Sequence, residues 1–183
     1  MKNLAASSLL LFFIQIAHAQ NNPAAQRFIR SVFHEKGIVY TNTINGEIID
    51  RMRAALKKDT IYSRVEGADT LIFTQEEKMS ILKEVNKLKM HSWSSGLIEN
   101  STFINIDSLK KMINRPDGWK FFHQHYGTVV FRFSNPIFLR AGHLCIFYLG
   151  YWCDGLCGLI DLTIYVKREG QWESTFILYD EIN

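Results

Sequence analysis

Apolar residues recur along this chain in two regimes, first at helical spacing and then in alternation. Phe28, Ile29, Val32 and Phe33 predict a helix over Ala24–Glu35, with Asn22 as cap, Pro23 at the first helical position and Gly37 as stop. Ile48, Ile49, Met52, Ala55 and Leu56 predict a second helix over Glu47–Lys58. Thr74-Gln75-Glu76-Glu77 has the form of a capping box, in which the cap hydroxyl and the Glu77 carboxylate satisfy each other's backbone N–H groups. It opens a helix expected to run to Lys89 with Met79, Leu82, Val85 and Leu88 as its apolar stripe, supported by Ile81. Asp107 is the expected cap of a short helix carrying Leu109, Met112 and Ile113, broken by Asn114-Arg115-Pro116-Asp117-Gly118, and Trp119–Tyr126 reads as one more helical segment. Short strands are expected at Ile38–Thr43, and at Thr60–Arg64 and Thr70–Phe73 around the turn Glu66-Gly67-Ala68-Asp69. Trp93 to Asn105, rich in Ser and Asn, reads as an excursion over the surface.

From Thr128 onward the period becomes two. Val129, Phe131 and Phe133 alternate with Val130 and Arg132, and strand-like runs follow at Leu144–Trp152, Leu159–Arg168 and Trp172–Tyr179. Arg168-Glu169-Gly170 is a hairpin signal between the last two. Helices first and sheet last predict one α+β domain over residues 20–183, with N-terminal helices packed on one face of a C-terminal four-stranded antiparallel meander.

The first residues change the picture of compartment. Residues 1–19 have the form of a secretory signal peptide: Lys2 for the positive start, an apolar run over Leu9–Ile16, and Ala17-His18-Ala19 before an expected cleavage at Gln20. The run is too short to span a bilayer and no cysteine follows it directly, so the expectation is a periplasmic or secreted protein that does not stay in the membrane. Loss of Lys2 lowers the formal charge from +3 to +2, too weak a balance for a nucleic-acid partner. A hydrophobic content of 47% with 13% aromatics points to a packed core and against disorder.

Three cysteines leave at least one outside any intramolecular bridge. In a hairpin around Cys153–Gly158, Cys145 lies about 23 Å down its strand, far beyond the Cα separation a disulfide permits. Cys153–Cys157 is therefore the expected disulfide and Cys145 a buried free thiol. Gly150-Tyr-Trp-Cys-Asp-Gly-Leu-Cys-Gly158 gathers both cysteines, three glycines and two aromatics, and Tyr151, Trp152 and Asp154 are its candidate ligand-binding residues.

Ser134-Asn135-Pro136-Ile137-Phe138, the Cys153…Cys157-Gly158 loop and Gly170-Gln171-Trp172 together resemble a family of uncharacterised secreted proteins of Bacteroidetes type. The resemblance covers the C-terminal third, implies export and the meander, and implies no mechanism. Cys153-Asp154-Gly155-Leu156 is also similar to the nucleophile segment of secreted cell-wall cysteine peptidases, which reads Asp-Cys-Ser-Gly-Leu. That resemblance implies an activating histidine later in the chain, whereas all six histidines precede Cys153. The catalytic residues are thus unknown. His143 and Cys145 supply two soft ligands where structural zinc takes four, so no metal and no cofactor is expected. The function expected is an exported binding or interaction module for a small molecule, glycan or protein. The alternative is a cell-envelope hydrolase, which would need His123, His125, Asp154 or Asp161 to converge near the 151–161 loop.

Overall fold

A computed structural model describes residues 22–34, 37–57, 60–63, 70–154 and 157–182. The expected leader, the turn at residues 66–69 and Gly155 and Leu156 lie outside the described residues. The elements, in chain order, are α1 (Pro23–Phe33), β1 (Val39–Thr41), α2 (Gly46–Ala55), β2 (Thr60–Tyr62), β3 (Thr70–Ile72), α3 (Gln75–Lys87), β4 (Thr102–Ile104), α4 (Ile106–Ile113), α5 (Gly118–His125), β5 (Val130–Phe133), β6 (Ile137–Leu139), β7 (Leu144–Asp154), β8 (Cys157–Arg168) and β9 (Gln171–Ile182). The class is α+β, with five α-helices among the described residues and a large, mostly antiparallel sheet.

That sheet holds seven of the described strands rather than four. Its path is β4-β1-β5-β7-β8-β9, with β6 also on β7, and β1 lies parallel to both β4 and β5. β5 and β6 act as one interrupted strand beside β7, broken at Ser134-Asn135-Pro136 because proline cannot donate to a ladder. The hydroxyl of Ser134 bridges the break by accepting from the Tyr148 N–H at 3.1 Å. β2 and β3 form a separate hairpin.

The sheet is covered on both faces, which corrects the one-face expectation. Leu144, Ile146 and Tyr148 of β7 pack against α2, α3 and the small hairpin, while Cys145 and Phe147 pack against α1 and the segment around Trp93. Strands buried on two sides read as continuous apolar runs, and Leu144-Cys-Ile-Phe-Tyr-Leu149 is such a run. α4 and α5 cover the α2 side of β1 and β5 through Leu109, Phe122, Val39 and Val130.

Two local expectations also change. The capping box at Thr74 forms as expected, but Met79 is 65% exposed and Leu82 37%, and the buried stripe is Ile81, Val85 and Leu88. Residues spaced strictly by threes drift about 60° per step around a helix, so the expected four could not share one face, whereas steps of four and three hold it. The cap of α4 is Asn105, whose side chain accepts from the Asp107 N–H at 2.9 Å, with Asp107 in the first turn.

The 93–105 segment is not a surface excursion. Trp93, Leu97 and Ile98 are buried, and Trp93 donates its ring N–H to the Phe133 carbonyl at 3.0 Å. The segment ends in β4, which adds to the edge of β1. Tyr40 fixes the crossing by donating its hydroxyl to the Ser94 carbonyl at 2.8 Å while accepting from the Leu97 N–H at 3.3 Å.

Candidate functional site

Cys153 and Cys157 lie at disulfide distance, with Cα atoms 5.3 Å apart, across the irregular end of the β7–β8 hairpin. Cys145 is a buried free thiol on β7, and burial pushes its pKa well above the ordinary thiol value, which keeps it protonated.

The three candidate ligand residues separate, because successive residues of β7 point to opposite faces. Tyr151 faces the α1 side, its ring 5.9 Å from that of Phe131, the residue opposite it on β5. Trp152 faces the other side, among the residues of α4 and α5, and carries the Arg132 guanidinium 3.9 Å above its ring. It therefore belongs to a different surface from Tyr151. Asp154 is exposed at the last position of β7, opposite Cys157.

A hollow of about 480 Å³ opens beside Tyr151, lined by Thr128, Val129, Phe131, Tyr151, Cys153 and Cys157. A second, of about 300 Å³, adjoins it through Thr128, Val129 and Phe131 and continues past Asn100, Thr102 and Tyr126. Together they form a trough across one end of the sheet, where β1, β4 and β5 begin and β7 ends. Its floor is largely apolar and aromatic near the cysteines, Thr128 stands where the two hollows join, and its far end is lined by Asn100 and Thr102. Tyr151 and the two cysteines were legible in the sequence. Phe131 and Val129 read in the sequence as ordinary members of an alternating strand, and Asn100 and Thr102 fall in the stretch that reads as a surface excursion.

The groups a hydrolase would need are only partly gathered. His123, on α5, hydrogen-bonds through Nε2 to the Cys153 carbonyl oxygen at 2.7 Å, which brings it to the end of β7 near Asp154. His125 is turned away, stacked on Phe121 with ring centroids 4.0 Å apart. Asp161 lies on the α1 side of β8, opposite Leu149, and accepts from the Thr163 hydroxyl at 2.5 Å. Among the described residues no group of three or more His, Cys, Asp or Glu side chains gathers in an arrangement that could hold a metal ion. No described helix is long and apolar enough to cross a membrane.

Compared with family models, with curated proteins and with solved structures, the chain matches none.

Proposed function

We propose that this chain is an exported binding protein that holds a small amphiphilic molecule in the trough at the end of its sheet. The observation that supports this most is the gradient along the trough, from the Phe131–Tyr151 aromatic pair and the cysteine bridge to Asn100 and Thr102. A volume of about 480 Å³ suits a small ligand. An apolar moiety burying about 200 Å² there would gain about 5 kcal/mol before the costs of association. The disulfide-distance cysteine pair beside the trough favours an oxidising compartment, in agreement with the leader-like residues 1–19. The resemblance of the C-terminal third to secreted proteins of Bacteroidetes type points the same way. The hydrolase alternative has less support, since Asp161 is on the opposite face of the sheet from α5, which carries His123.

The test is the uncharged probe N-phenyl-1-naphthylamine, with native mass spectrometry of protein purified without detergent. The expected result is saturable probe fluorescence, and a bound mass displaced by the probe, both lost in Val129→Asp with little change in melting temperature. A wild-type chain that carries no mass and binds the probe no better than Val129→Asp would overturn the reading.

A further inference from the structure

On the opposite face of the sheet, Arg132 is 7% exposed and no carboxylate bonds to it among the described residues. Glu47, an acid that acts on it through space, is instead bonded to Arg51 at 2.5 Å. The guanidinium lies on the Trp152 ring, and its Nε has no hydrogen-bond partner. The Thr41 hydroxyl is also buried without a partner, and the Tyr148 hydroxyl is buried with only the Arg132 guanidinium beside it.

Strand register brings these three groups together. Tyr40 is opposite Phe131 in the parallel β1–β5 pair, so the next residues, Thr41 and Arg132, are neighbours on the α2 side. Arg132 is opposite Gly150 on β7. A Cβ on Gly150 would fall 2.5 Å from the Tyr148 hydroxyl, so that hydroxyl lies over the glycine and beside Arg132. The Arg132 guanidinium and the Tyr148 hydroxyl act on each other as neighbouring donor and acceptor, while Nε of Arg132 stays without a partner. Burial raises the Tyr148 pKa to about 12, so the phenol stays a neutral donor.

A buried cation without a bonded acid and a buried polar group without a partner are both costly to the fold unless a ligand meets them. Glu47 acts through space on both Arg132 and Tyr148 but is held by Arg51, so the three donor-bearing groups have no acid bonded to them and match one class of partner. We propose that Arg132, Tyr148 and Thr41 form a binding site for a small oxyanion, a carboxylate or a phosphate group, which the edge of the guanidinium engages while its face rests on Trp152. Gly150 is the residue that leaves room for the Tyr148 hydroxyl to reach it.

The experiment is thermal unfolding in graded sodium acetate or sodium phosphate, with sodium chloride at matched ionic strength as reference, on wild type, Arg132→Met and Tyr148→Phe. The expected result is a saturable rise in wild-type melting temperature with one of the two anions. It should be absent in Arg132→Met and need about tenfold more anion in Tyr148→Phe, the loss of one charge-assisted hydrogen bond. Whether acetate or phosphate saturates first distinguishes a carboxylate from a phosphate ligand. If all three proteins respond alike to every salt, the orphaned groups are a structural feature of the core and the proposal fails. Should Arg132→Met not fold, the comparison of Tyr148→Phe with wild type decides alone. Probe binding in the trough, at the end of the sheet, is read separately and should be unchanged in Tyr148→Phe.

Discussion

Phe28 is the keystone of the second covered face, and its removal measures how firmly α1 is docked. The side chain is fully buried, and edge-on contacts surround it: Phe147 at 5.0 Å, Tyr165 and Trp172 at 5.2 Å each, and Phe138 at 6.0 Å between ring centroids. Three strands and the β6 segment supply those rings, so they cannot all collapse into the space a smaller residue would leave. Phe28→Ala should therefore fall near the middle of the range for buried phenylalanine, about 4 kcal/mol, with part of the loss coming from aromatic pairing beyond area burial. In a domain of this size that is a fall in melting temperature of about 8–16 °C. Phe28→Leu, which keeps most of the volume and loses the ring edges, should cost about 1–2 kcal/mol. Urea unfolding followed by circular dichroism on the chain from Gln20 onward gives both numbers. A loss below about 1 kcal/mol for Phe28→Ala would mean that α1 does not hold this face, and the two-sided architecture would be wrong.

Replacing Cys153 and Cys157 together by serine should cost about 2 kcal/mol, the loop-closure entropy of so short a ring, as read from the urea midpoint. His91, edge-on to Trp93 at 4.2 Å, has its pKa lowered from 6.5 to about 4 by burial. Below pH 6.5 the unfolded chain therefore takes up a proton that the folded chain refuses. Stability contributed by this site should fall as pH drops from about 6.5 and level off near pH 4, and His91→Gln should remove that slope from denaturation curves at pH 7 and pH 5. Thr74→Ala should cost about 1 kcal/mol by opening the capping box, seen as a lower melting temperature. Gly118→Ala should destabilise more than an ordinary surface change, since its new Cβ would meet the backbone carbonyls of Met112 and Ile113 at the α4–α5 junction; a neutral melting temperature would contradict that packing.

The sequence was most informative where local chemistry decides structure alone. Asn22-Pro23 and Thr74…Glu77 satisfy helix N–H groups from within a few residues, and α1 and α3 begin where those residues lie. The cysteine pairing followed from reach along a strand. Elements fixed by distant partners were not legible. Thr102-Phe103-Ile104 is too short to show a period, and it is a strand because β1 offers a free edge. Trp93, in a polar stretch, gave no sign that the Phe133 carbonyl, far along the chain, would take its N–H.

The same division explains the candidate sites. Tyr151 and Trp152 are adjacent and chemically alike in sequence, so both suggested one aromatic rim, but the pleat of β7 sends them to separate surfaces. Arg132 read as the polar member of an alternating strand, and polarity usually predicts solvent. It is buried with its guanidinium on the Trp152 ring and Tyr148 and the α2 residues Glu47 and Arg51 acting on it, on a side of β5 that a four-stranded meander with helices on a single face would have left open. A second layer of cover turns alternation from a signal of exposure into a signal of which layer a residue meets. In this fold a polar residue within an alternating strand is therefore informative about function only once its cover is known, and Arg132 and Thr41 stand out because that cover leaves the Arg132 Nε and the Thr41 hydroxyl without a partner.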